Sequence, residues 1–110
     1  MPTTVKVLGQ AAPSATTETT LYTVPALTTA VGSSVMVCNR SSSTAATFRV
    51  SVSVGGGATA NKDYLYYDFL IPPSDSMAAT VGVSLGAGDV VRVYASTANL
   101  SFSFFGTEIT

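Results

Sequence analysis

Apolar and polar positions alternate with period two along most of the chain. Phe48, Val50, Val52 and Val54 alternate with Thr47, Arg49, Ser51 and Ser53, and Leu100, Phe102 and Phe104 with Asn99, Ser101 and Ser103. Val35 and Val37, then Val81, Val83 and Leu85, then Val91 and Val93 continue the pattern. Side chains of a strand point alternately to opposite faces, so each run predicts a half-buried strand with the apolar set turned inward. Val, Thr, Tyr and Phe suit a pleated surface. Turn residues fall between the runs: Arg40-Ser41-Ser42-Ser43, Gly55-Gly56-Gly57, Pro72-Pro73-Ser74-Asp75 and Thr97-Ala98-Asn99. Gly86-Ala87-Gly88-Asp89 reads as a tight hairpin between two neighbouring strands, and the triple glycine as a flexible connection. The pattern predicts about eight strands, near 4–9, 19–24, 29–39, 45–54, 63–71, 76–85, 89–96 and 99–108.

Short strands at such spacing predict an all-β chain folded as a single antiparallel β-sandwich, jelly-roll-like. Residues 1–20 read as an extended N-terminal arm and loop, and 21–110 as the sandwich domain. On that division, removing residues 1–18 leaves the sandwich folded and weakens assembly. The expected core is Val35, Val37, Phe48, Val50, Val52, Val81, Val83, Val91, Val93, Leu100, Phe102 and Phe104.

Composition changes the picture on the outward side. With 110 residues there is room for one domain. Only 10% of them are charged, the net charge is −1, and Ser and Thr make up roughly a quarter of the chain. An ordinary monomer covers its surface with Lys and Glu, which keep copies apart and protect strand edges. Here the outward faces carry Ser, Thr, Ala and Gly, which cost little entropy to immobilise at a contact. Assembly is therefore the expectation. Five basic residues against six acidic ones make no nucleic-acid footprint. No signal peptide is read at the amino terminus and no apolar run is long enough to span a bilayer as a helix, so neither nucleic acid nor membrane is an expected partner.

Candidate chemistry is sparse. The chain has no His and a single cysteine, Cys38, which removes His-based triads and the usual zinc ligands. Asp63, Asp68, Asp75 and Asp89 are the clustered acids. Asp63 and Asp68 stand five positions apart on a strand and face opposite sides, while Asp75 and Asp89 read as turn residues, so no catalytic pair, metal site or cofactor is expected. Cys38 reads as a structural, partly buried thiol. The sequons at Asn39 and Asn99 read as chance matches. The aromatic segment Tyr64, Tyr66, Tyr67 and Phe69 is the strongest candidate surface. Strict alternation puts Tyr64 and Tyr66 on one face, and Leu65, Tyr67 and Phe69 on the other. With Arg49 and Arg92 as possible register-fixing ion pairs, Tyr64, Tyr66 and Tyr67 form the expected subunit interface. The same tyrosines could stack on sugar rings, which keeps a carbohydrate-binding module as the alternative.

Residues 21–26 (Leu-Tyr-Thr-Val-Pro-Ala), Thr29-Ala30-Val31 and Ser34-Val35-Met36-Val37-Cys38-Asn39-Arg40 resemble small virion proteins of tailed bacteriophages, in which such a run opens a β-sandwich. Residues 60–68, 88–95 and 100–106 extend the likeness over most of 20–110. Two positions depart from the pattern: Leu27 replaces the usual Gly, and Gly32 stands where a β-branched residue is expected. The resemblance implies a non-catalytic structural subunit located in the virion. Its implied partners are copies of itself, as a trimer or higher symmetric oligomer, and other virion proteins. It leaves open a tail, baseplate, collar or fibre component or a capsid decoration (cement) subunit.

Overall fold

The computed structural model describes residues 2–110. Eight strands carry the fold: β1 (Thr3–Ala11), β2 (Thr19–Thr23), β3 (Thr29–Asn39), β4 (Ala46–Ser53), β5 (Tyr64–Ile71), β6 (Ser76–Leu85), β7 (Val90–Ala95) and β8 (Leu100–Ile109). They form two four-stranded antiparallel sheets, ordered β1-β8-β3-β6 and β2-β7-β4-β5. The pairs β1 with β8, β2 with β7, β3 with β6 and β4 with β5 make one long hairpin ribbon. The ribbon is rolled so that β3 also pairs β8 and β4 also pairs β7. This is a β-sandwich with jelly-roll strand order.

Among the described residues, only β4 and β5 are consecutive strands that pair. Every other connection carries the chain to the opposite sheet, which corrects the hairpin expected at Gly86–Asp89. That turn is tight, with Gly88 at φ 84° and the Asp89 amide donating to the Gly86 carbonyl at 3.1 Å. It nevertheless joins β6 of one sheet to β7 of the other.

The inner faces hold the core. Val35, Val37, Phe48, Val50, Val91, Val93, Leu100, Phe102 and Phe104 are buried as their alternation requires. Val52, Val81 and Val83 are half-buried at its margin. Leu8, Leu21, Tyr22, Val24 and Ile71 complete it from segments with weaker alternation.

The amino-terminal segment is folded onto the chain's own sheet. Thr3–Ala11 pairs along β8 from Thr3 opposite Ile109 to Ala11 opposite Phe102, and Leu8 enters the core. Truncation at residue 18 therefore removes an edge strand and takes Leu8 out of the core. Gly9 closes this side: a Cβ there would collide with the Leu21 carbonyl oxygen of β2.

Asn39 explains one sequon. Its side chain is buried, donates to the carbonyls of Thr44, Ile71 and Pro72, and accepts from the Ser41 amide. Its amide nitrogen is committed to tying the β3–β4 connection to the end of β5 and the β5–β6 connection. Cys38, expected to be partly buried, is exposed. Val35 and Val37 take the inward positions of β3, so Met36 and Cys38 point out.

Candidate functional site

Strand β5 forms one edge of its sheet, and two irregularities in its pairing with β4 decide what it displays. Phe48 is opposite Phe69 and Val50 opposite Tyr66, so three steps on β5 span two on β4; between Val50 and Ser51 the pairing slips again, to Tyr64. Each slip is a bulge that changes which face the following side chains occupy. At the first, Asp68 takes φ 53°, a left-handed conformation that Asp tolerates better than most residues.

The bulges overturn the alternation expected for the aromatic segment. Tyr66 and Phe69 lie together against Phe48, with ring centroids 5.6–5.9 Å apart. Tyr64 instead packs edge-on against Tyr67, centroids 4.9 Å apart. Arg49 leaves β4 between two rings, its guanidinium carbon 4.2 Å from the Tyr67 centroid and 4.4 Å from that of Tyr94. Its Nε donates to the Asp68 carboxylate at 2.7 Å. That hydrogen bond holds the guanidinium pKa even higher than usual. Tyr64, Tyr67, Arg49, Tyr94 and Asp68 thus form one ordered patch on the outer face of β2-β7-β4-β5. Tyr67 is 59% exposed, with Leu70 and Leu65 also exposed nearby on β5.

Of the expected interface residues, the structure brings together Tyr64, Tyr67 and Arg49. Tyr66 turns toward the core margin. Arg92 is employed elsewhere: it donates to Ser53 Oγ, Thr59 Oγ1 and the carbonyls of Gly56 and Gly57. With Asp89 accepting from the Gly55 amide, it ties the triple-glycine connection, expected to be free of such bonds, to β7 and the turn before it. Tyr94 and Asp68 are the members of the patch that alternation did not assign to it. Tyr94 was legible as outward; its position directly opposite Arg49 was not.

The four clustered aspartates are each engaged in local structure. Asp63 accepts from the Ala60 amide and from Lys62, which hold its pKa below the usual carboxylate range. Asp68 holds Arg49, Asp75 accepts from the Ser76 amide, and Asp89 accepts from the Gly55 and Gly86 amides. Glu108 accepts from the Tyr22 hydroxyl and from Lys6, and its pKa is likewise lowered.

The opposite sheet presents a different surface. On the outer face of β1-β8-β3-β6, cross-strand rows run Val5, Thr107, Val31, Ser84; then Val7, Phe105, Ser34, Thr80; then Gln10, Ser103, Met36, Ala78; then Ser101, Cys38, Ser76. None of these is Lys, Arg, Asp or Glu. Lys6 and Glu108, the charged residues of this sheet's strands, have inward parity and meet at the end of the sandwich. Val5 is 82% exposed, and Val7, Val31 and Met36 are also exposed. Between the free edges of β5 and β6 lies a groove of about 410 Å³ lined by Tyr64, Leu65, Tyr66, Thr80, Val81 and Val83.

No protein-family model and no curated protein matches this chain. Among solved structures, the chain is similar to a pentameric capsid protein isolated from metagenomic phage sequences, with 18% identity and a TM-score of 0.42. The match covers 96% of this chain and 59% of that one. A second pentameric capsid protein isolated from metagenomic phage sequences, solved by iodide phasing, is 14% identical with a TM-score of 0.29, covering 96% of this chain and 60% of that one. The chain therefore spans about three fifths of the length of either protein.

Proposed function

We propose that this chain is a non-catalytic structural subunit of a phage virion that packs against copies of itself and other virion proteins in a symmetric assembly. The observation that carries self-packing is the outer face of β1-β8-β3-β6, whose paired strand positions among the described residues include no ionic side chain and expose Val5, Val7, Val31 and Met36. A face of that kind meets its own copy without like-charge repulsion and buries aliphatic area on contact. The virion setting rests on the resemblance of residues 20–110 to small tailed-phage virion proteins. The engagement of all four clustered aspartates in local structural bonds supports a role without catalysis. The ordered Tyr64–Tyr67–Arg49–Tyr94 patch has the composition of an interface anchor and supplies a second contact on the opposite face.

The sugar-binding reading is weaker. Stacking needs open ring faces, and Arg49 occupies one face of both Tyr67 and Tyr94. Mass spectrometry of purified particles tests the proposal. The chain is expected there at a fixed copy number, and its position in particle density decides between tail, baseplate, collar or fibre component and capsid decoration. Absence from particles, together with a chain that stays single at high concentration, would overturn it.

A further inference from the structure

β1 lies at an edge of its sheet, with β8 as its one strand partner. It runs along β8 from end to end, yet Leu8 alone of its nine residues is buried, and residues 3–7 are all exposed. Residues 12–18 connect it to β2 of the other sheet. Pro13 fixes its own φ and disfavours a helical conformation at Ala12, so the chain leaves β1 nearly straight. The reversal falls at Ala15–Thr16. There Thr16 takes φ 53°, with its amide donating to the Ala95 carbonyl at 2.8 Å. A β-branched residue in the left-handed region is strained. The fold-back of β1 onto its own chain thus concentrates strain in one turn.

We propose that this turn opens and that β1 is exchanged between copies, pairing along β8 of a sister molecule in the register seen within one chain. The proposal rests on the self-packing reading above and specifies one contact within it. No new surface is needed. The edge of β8 already accepts this strand, Leu8 enters the core beside it, and Lys6 meets Glu108. Each copy gives one β1 and receives one, so the contact is kept whole while the strain at Thr16 is relieved. A strained hinge favours domain swapping for that reason.

The placement of β1 permits the exchange. β1 and β2 are edge strands on the same side of the sandwich, with Gly9 against the Leu21 carbonyl. Two copies set side by side there trade strands without displacing any other element. Straightened, residues 12–18 reach roughly 24 Å, more than the molecule's shortest dimension of 19 Å. A sister copy is favoured over an unrelated partner because the receiving site is shaped to this sequence. Another strand would have to reproduce the bulge after Val7 and the close approach of Gly9. Detaching β1 uncovers Leu8 and one side of β8, so the open chain is sparsely populated and exchange is slow.

Covalent linkage within the oligomer tests this. Val5 and Thr107 are cross-strand neighbours on the outer face. In a Cys38→Ser background, a chain carrying both Val5→Cys and Thr107→Cys sets the two thiols one strand spacing apart, roughly 5 Å. A thiol on a sheet packed face to face with it is roughly 10 Å away, too far for a disulfide. Monomer and oligomer are separated by size exclusion, oxidised mildly and run on a non-reducing denaturing gel. The monomer is expected to close the bond within one chain, and the oligomer to yield chains linked to one another. Thr16→Gly, which accepts the left-handed turn without strain, is expected to weaken self-association roughly tenfold in sedimentation velocity; packing through the sheet face does not touch Thr16. An oligomer whose bonds stay within single chains, or one that Thr16→Gly leaves unchanged, would overturn the exchange and leave self-packing standing. A wild type that stays single at high concentration contradicts the exchange too, and its presence in or absence from particles then decides the functional reading separately.

Discussion

Leu27 and Gly32 are the two positions where the chain departs from the pattern it resembles, and the backbone accounts for both. Leu27 sits at φ 58° in the β2–β3 turn, 94% exposed. A left-handed conformation strains a non-glycine residue by roughly 1–2 kcal/mol, so the turn has the geometry a Gly there would accept. Replacing it loses no burial. Glycine's extra freedom in the unfolded chain offsets part of the gain, so Leu27→Gly is expected to stabilise by about 0.5–1 kcal/mol in urea unfolding. Gly32 has the opposite logic. The Phe104 ring and Val83 occupy the space its Cβ would need. Gly32→Val is expected to destabilise by about 3 kcal/mol, measured in the same way. Both departures were visible in the sequence. The reason for neither was, because it lies in a backbone angle and in a ring arriving from a strand some seventy residues away.

At the scale of elements, strand positions were legible almost throughout, because alternation is a local property. What local pattern does not encode is an extra residue in one partner of a pair. The bulges at Asp68 and between Tyr64 and Tyr66 split the aromatic segment differently from simple parity: Tyr64 joined Tyr67, and Phe69 joined Tyr66. The same limitation applies to β1. Its sequence, with only Val5, Val7 and Leu8 as sizeable apolar residues, reads as a loose arm. It is held by nine residues of strand paired to β8, a partner about a hundred positions away. Deleting residues 1–18 is accordingly expected to strip one side of β8, uncover the core beside Leu8 and abolish cooperative thermal unfolding by circular dichroism. A truncated chain melting like the full one would show β1 to be dispensable.

For the whole molecule, stability should fall at both ends of the pH scale. Glu108 and Asp63 have lowered pKa values, Glu108 chiefly through the Tyr22 hydroxyl and Asp63 chiefly through the Ala60 amide. The unfolded chain therefore binds their protons first. Their contribution is fully present above the ordinary carboxylate range, near pH 4, and is lost as pH falls through the folded values. Tyr22 is shifted the other way, upward, first by burial and then by Glu108. Its contribution is present below the ordinary phenol value, near pH 10, and is lost as pH rises toward the folded value. Urea midpoints measured across pH should show both limbs, and Glu108→Gln should flatten each of them. A midpoint that ignores pH below 4 would contradict the Glu108–Tyr22–Lys6 network.

The scarcity of charge was plain in the composition. Its concentration into one empty sheet face was not, since that required knowing that β1, β8, β3 and β6 lie side by side. Cys38 provides the means to test the face directly. It is exposed on β3 within that face, between Ser101 of β8 and Ser76 of β6. The most direct measurement is the rate at which this thiol reacts with a small aromatic disulfide, in dilute chain and in the assembled state. If sister molecules cover the face, the rate falls on the order of tenfold or more as the chain assembles. A thiol that reacts equally fast at every concentration and in the particle would show that the face stays open to solvent, and would contradict self-packing through it.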